Sequence, residues 1–311
     1  MPPPHFASAA DTALPHRRSG RSGLHLPLLT LGLRPSPDFP SLLRHALQSG
    51  ITAFDATPRH TSYGSPTEGE IGRALGVWRA ERPDLVISAR IGLATGPGPL
   101  DGFGSRKHIL STLDRVLRRI GLDHLDILYA HRYDPTTPLE ETMGALASAV
   151  HQGKALYTGI SGYAPAPAGQ AAGLLRGLGA PAVACQASYS LLNRWVEEGL
   201  LDILDEHGIG CIACAPFHHG DLPRLAPLWP SPLDARSPRG HGDELSDLAA
   251  ARGQSIAQLA LSWTLRDPRI TSALLTTSCP AHLLESSHAT RNLTFTPAEL
   301  IALDACCPPD A

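Results

Sequence analysis

From Leu28 onward, short apolar runs alternate with stretches whose apolar residues recur every three or four positions. The runs Leu28–Leu33, Thr52–Asp55, Leu85–Arg90, Leu125–His131, Ala155–Ser161, Ala182–Gln186, Ile209–Cys214 and Ser272–Thr276 predict strands. Helices are predicted over Phe39–Gln48, Glu68–Trp78, Lys107–Ile120, Leu139–Gln152, Ala168–Leu178, Trp195–His207, Ile256–Arg266 and Ala281–His288, and a last one opens at Thr296-Pro297. Most strands are continuous apolar runs, as expected of a sheet covered on both faces. Eight strands, each followed by a helix, predict an α/β fold in which a parallel sheet closes into a (β/α)8 barrel. No linker or shift in composition divides it, so residues 16–311 read as one barrel domain. Ahead of it, residues 1–15 are rich in Pro and Ala without periodicity and read as a flexible leader. His16–Leu26, with Ser19-Gly20 and Ser22-Gly23 as turn signals, reads as a hairpin. The stretch Pro216–Gly242 carries many Pro and Gly residues in a strand-to-helix connection and is a candidate lid.

Composition narrows the function classes. The chain has 311 residues, 42% hydrophobic and 18% charged, with a formal net charge of −3, so it can bury a large core and carries no electrostatic footprint for nucleic acid. No apolar run approaches the roughly 20 residues of a membrane span, and Met1–Pro15 lacks a signal pattern, so a cytoplasmic protein acting on a small molecule is expected. Lys occurs only at Lys107 and Lys154, so any chemistry that needs a lysine must use one of these. Cys211 and Cys214 form a C-x-x-C, but on a strand residues three apart point to opposite faces, which favours core thiols over a redox or zinc pair.

In a (β/α)8 barrel the chemistry sits at the C-terminal ends of the strands. Those ends bring Arg34, Asp55, Arg90 and His131 to one mouth, with His60 on the connection after Asp55. Each alone is commonly a cap, a rim charge or a packed ring; four ionisable groups converging on one mouth point to catalysis. Asp55, His60 and His131 also make a two-His, one-carboxylate set, but no short-spaced ligand motif accompanies them and Arg90 opposes a cation, so no metal is expected.

The segments GITAFDATPRH, EGEIGRAL, DHLDILYAHRYD, LEETMGAL, QGKALYTGISGY, QASYSLLNRWVEEGLLDIL, GIGCIACAP, RGQSIAQLALSWTLRDPRITSALL and NLTFTPAEL resemble the aldo/keto reductase superfamily from about Arg18 to Asp304. The resemblance is to the L-glyceraldehyde-3-phosphate reductase type, related to potassium-channel beta subunits. It implies carbonyl reduction with NADPH through an Asp, Tyr, Lys and His at the barrel mouth. The Asp matches Asp55 and the His matches His131. The Tyr falls on His60, with Tyr63 as an alternative after a three-residue shift, and the Lys falls on Arg90.

Arg34, Tyr63 and Arg132 are candidate substrate contacts. Ser161 and Gln186 match positions that hold a nicotinamide carboxamide. The ring-stacking aromatic falls on Cys214, the phosphate run reads Gly220-Asp221-Leu222-Pro223-Arg224, and the adenosine-phosphate motif keeps Ser278 and Glu285 but has Thr276 and Cys279 in place of a Gly and an Arg. A guanidinium stays charged where an ammonium can be tuned, and an imidazole titrates near neutrality where a phenol does not. On these departures the expectation is an enzyme on the reductase scaffold that takes no cofactor and performs redox-neutral acid–base chemistry such as dehydration, cyclisation or isomerisation. The alternatives are an NADPH-dependent carbonyl reductase and a non-catalytic binding or regulatory barrel.

Overall fold

The computed structural model describes residues 14–33, 39–56, 72, 75, 83–92, 104–217 and 242–307. A two-stranded antiparallel hairpin, β1 (His16–Arg18) and β2 (His25–Pro27), precedes eight parallel strands: β3 (Leu29–Gly32), β4 (Ala53–Asp55), β5 (Val86–Ile91), β6 (Leu125–His131), β7 (Ala155–Ser161), β8 (Ala182–Ser188), β9 (Gly210–Cys214) and β10 (Ile270–Leu275). They pair in sequence order and β10 closes onto β3, as the alternating pattern predicts. The described helices around them are α1 (Phe39–Gln48), α2 (Arg106–Ile120), α3 (Leu139–His151), α4 (Pro165–Gly177), α5 (Leu200–His207), α6 (Gly242–Ala251), α7 (Ile256–Leu265), α8 (Pro280–Ala289) and α9 (Pro297–Cys306).

Alternation along each strand sorts side chains between two cores. On β6, Leu128 and Ala130 join the large cluster under the helices, while Ile127 and Tyr129 join the small cluster inside the barrel. β9 divides its two cysteines the same way: Cys211 packs outward under the helices and Cys214 packs against the interior cluster. All six cysteines are free, in keeping with the reading of this C-x-x-C as core thiols.

The hairpin closes the N-terminal end of the barrel. Leu26 enters the interior cluster, the Ser19 hydroxyl donates to the Val183 carbonyl (2.8 Å), and Arg17 Nη1 donates to the carbonyls of Asp267 (3.0 Å) and Ile270 (2.6 Å). Gly20 (φ 54°) lies so close to the β9 entry that a Cβ would sit 2.1 Å from the Gly208 carbonyl oxygen, so only glycine fits.

Several boundaries differ from the sequence reading. Leu14 is buried in the core and the Pro15 carbonyl accepts from Leu28 N (3.0 Å), so the last two residues read as leader belong to the fold. α4 begins at Pro165 rather than Ala168, because proline is tolerated in the first helical turn. The segment read as one helix over Trp195–His207 is a 3-10 turn (Trp195–Glu197) and α5, separated at Gly199 (φ 101°). α6 was not anticipated. Of the helix expected over Glu68–Trp78, Gly72 and Leu75 are described, and both are helical. The rest of that helix, and residues 218–241 of the candidate lid, lie outside the described residues. Among the described residues no helix is long and apolar enough to cross a membrane.

Candidate active site at the barrel mouth

Parallel pairing places the inward residues of neighbouring strand ends side by side. Asp55 closes β4, Arg90 lies one residue before the end of β5, His131 closes β6, Ser161 closes β7 and Cys214 closes β9; Gln186, on β8, is the register partner of Ile212 and neighbours Ser161. The expected convergence of Asp55, Arg90 and His131 on one rim is therefore observed. Arg34, His60 and Tyr63 lie outside the described residues.

Asp55 is the hub. It is 2% exposed, and Gln186 Nε2 donates to its Oδ2 at 2.8 Å while Ser88 Oγ donates to the same oxygen at 3.4 Å. Arg90 Nη2 stands 3.8 Å from Asp55 Oδ1. Burial is the largest single influence on Arg90 and opposes its charge, but Asp55, Cys214 and Tyr129 together outweigh it and raise the guanidinium above its ordinary range. The site thus holds a carboxylate and a guanidinium fixed together.

The other half of the rim is neutral. Ser161 is 4% exposed, Gln186 1% exposed, and Cys214 Sγ donates to Gln186 Oε1 at 3.8 Å. Burial pushes the Cys214 thiol up to about 12, with Arg90 pulling the other way, so it is neutral at physiological pH and no nucleophile. A hydroxyl, a carboxamide and a thiol on three successive strands form a neutral polar shelf beside the charged pair. That donor set suits a flat, amide-bearing ring. Ser278 follows β10, and Glu285 lies on α8, where its carboxylate accepts from Ser255 Oγ (2.6 Å) at the start of α7. One oxygen of Glu285 therefore braces two helices.

The two lysines are placed as the sequence implied. Lys154 precedes β7, at the end remote from the mouth, and pairs with Asp114 (2.7 Å); Lys107 is exposed on the first turn of α2. Neither substitutes for Arg90. Among the described residues no group of three or more His, Cys, Asp or Glu is placed to hold a metal ion.

Tyr129 was missed. It is fully inside the barrel, its ring against Gly159, where a Cβ would lie 2.4 Å from two ring carbons. Its hydroxyl reaches the Gln186 side chain, its backbone is the register partner of Arg90, and burial, reinforced by Asp55, raises its pKa well above the usual phenol value. The signal was available: Ile127, Tyr129 and His131 share one face of a period-2 strand.

With the mouth defined, similarity to known proteins identifies the scaffold. The aldo/keto reductase family model matches residues 36–307. The chain belongs to the aldo/keto reductase family. It is 42% identical to the L-glyceraldehyde 3-phosphate reductase of Escherichia coli (strain K12) over 93% of this chain and 91% of that protein. It is 30% identical to a putative voltage-gated potassium channel subunit beta of Schizosaccharomyces pombe over 89% of this chain and 88% of that one. A probable channel subunit beta of Arabidopsis thaliana is also 30% identical, over 88% of this chain and 90% of its own length. Both branches named from the sequence are thus present.

This similarity overturns the redox-neutral reading. That reading rested on single positions, chiefly His60, Arg90 and Cys214, whereas the likeness to a reductase spans nine-tenths of both chains. The findings support an oxidoreductase of the aldo/keto reductase family, and no lyase or isomerase.

Proposed function

We propose that the chain is an NADPH-dependent carbonyl reductase acting on a short aldehyde. The observation that carries this is the 42% identity, over nearly the full length of both chains, to an enzyme named for reducing L-glyceraldehyde 3-phosphate. The mouth supports it with a buried carboxylate facing a part-buried guanidinium beside a neutral polar shelf. When bound, NADPH supplies the hydride. Ser161 and Gln186 would hold its carboxamide-bearing ring, and Gln186 keeps that shelf in register with Asp55 through its 2.8 Å bond. Asp55 holds Arg90, whose fixed positive charge favours negative charge developing on the carbonyl oxygen. By the sequence resemblance His60 falls on the family's proton-donor position and would deliver the proton to that oxygen, while His131 would orient the carbonyl. The test is direct: purified protein is titrated with NADPH by fluorescence and then mixed with glyceraldehyde and glyceraldehyde 3-phosphate. Micromolar binding followed by NADPH oxidation supports the reading; absence of both rejects it.

A further inference from the structure

Four strand ends at the mouth turn through left-handed backbone, and they do not use the same residue. Gly92 follows β5 (φ 108°) and Gly162 follows β7 (φ 66°), but Arg132 follows β6 (φ 77°) and Ala215 follows β9 (φ 51°). Arg132 and Ala215 are the only non-glycine residues with positive φ among those described. Glycine adopts this conformation freely, whereas a residue with a Cβ does so at a steric cost. At Arg132 a long charged side chain is kept where the backbone favours none.

The backbone there is fixed from both sides. Arg132 N donates to the Ser161 carbonyl at 2.8 Å. Two residues on, the Asp134 carboxylate accepts from Gly104 N (3.1 Å), Thr136 N (2.9 Å), Thr136 Oγ1 (2.6 Å) and Thr137 Oγ1 (2.6 Å). Those four hydrogen bonds hold the acid nearest in sequence within its own loop, and it forms no ion pair with Arg132. Among the described residues the Arg132 guanidinium makes no hydrogen bond or ion pair, and the side chain is exposed. Its stem runs past Gly162, where a Cβ would lie 3.6 Å from Arg132 Cγ. Arg90, by contrast, already faces a carboxylate.

We propose that Arg132 receives a phosphate monoester at the far end of the substrate from its carbonyl, an assignment that rests on the reductase reading for the carbonyl end alone. The guanidinium offers a planar fork of donors that matches phosphate oxygens two at a time, and Arg132 follows His131 directly at the mouth end of β6.

The test uses the full chain and glycerol 3-phosphate, a probe that cannot be reduced, with glycerate as the carboxylate control. Calorimetry on the wild type should show glycerol 3-phosphate binding more tightly than glycerate. R132Q should weaken glycerol 3-phosphate roughly 10–100-fold, and R132K should fall between, because an ammonium keeps the charge without the fork. R132G should lose affinity as R132Q does without lowering Tm, because the strained backbone is relieved; this separates recognition from folding. In kinetics, the preference in kcat/KM for glyceraldehyde 3-phosphate over glyceraldehyde should drop by the same factor in R132Q. Unchanged glycerol 3-phosphate affinity in R132Q, or tighter glycerate than glycerol 3-phosphate binding in the wild type, overturns the assignment. If neither aldehyde oxidises NADPH, the reductase reading fails while calorimetry still decides the role of Arg132.

Discussion

The two ends of the barrel use arginine in opposite ways. At the closed end, Arg17 donates to the carbonyls of Asp267 and Ile270, Arg18 to those of Ser22 and Arg21, and Arg21 to those of Asp205 (3.0 Å) and Glu206 (2.6 Å). The last two carbonyls lie in the final turn of α5, where helical partners run out; Asp205 O also accepts from Gly208 N (3.0 Å), so Arg21 adds a second donor there. At the mouth, Arg90 is set against a buried carboxylate and Arg132 is held on a left-handed turn. The same side chain meets carbonyl oxygens at the closed end, and at the mouth it faces a carboxylate or solvent.

Substitutions at each end should separate these roles, and the largest effect is expected at the mouth. Asp55→Asn removes the carboxylate that faces Arg90 and receives Gln186, so kcat should fall by about 10²–10³-fold through lost electrostatic organisation, with the circular dichroism of a folded barrel retained. Equal losses in activity and Tm would mean that Asp55 only holds the barrel together. At the closed end the order reverses. Gly20→Ala forces a Cβ into the Gly208 carbonyl at positive φ and should cost about 2–4 kcal/mol of stability, read by denaturant unfolding, while kcat of the folded fraction stays near wild type.

A smaller effect concerns pH. Hydrogen bonds from Thr136, Thr137 and Gly104 outweigh the burial that opposes the charge and hold Asp134 down to about 2. Its folded-state value is depressed, so its contribution is present above the ordinary carboxylate range and is lost as pH falls from about 5 towards 2. Asp134→Asn should flatten the stability curve in that window by no more than about 2 kcal/mol. An unchanged curve would mean that this loop is held by other contacts. Smallest of all, Arg21→Ala exposes two helix-end carbonyls that water can solvate and should cost no more than about 1 kcal/mol in the same unfolding assay.

Much of this architecture was legible in the residues, because burial on both faces writes strands as apolar runs. α1, β6 and β7 fall on their expected bounds, and the strand ends carrying Asp55, Arg90 and His131 share one rim. Misreadings arose where one local signal concealed another. The proline-rich run ending at Gly242 hid α6, and Pro165 concealed the first turn of α4. A continuous apolar pattern from Trp195 masked the break that Gly199 makes by turning left-handed. Tyr129 was passed over because its strand was read for its terminal histidine rather than for the face they share. The function was misread for a different reason: exchanges at single mouth positions were weighed above a likeness running through the entire scaffold. An arginine in place of a lysine changes how a site is tuned, but Asp55 still meets a cation, at 3.8 Å.

The most direct test follows the hydride. Full-length protein is supplied with NADPH deuterated at the transferring position and glyceraldehyde 3-phosphate, and the product is read by mass spectrometry and proton NMR. Hydride transfer predicts an alcohol carrying one deuterium on the former carbonyl carbon, formed in step with NADPH consumption and slowed by about 10²–10³-fold in Asp55→Asn. A product free of deuterium, formed with no NADPH consumed, would contradict the account.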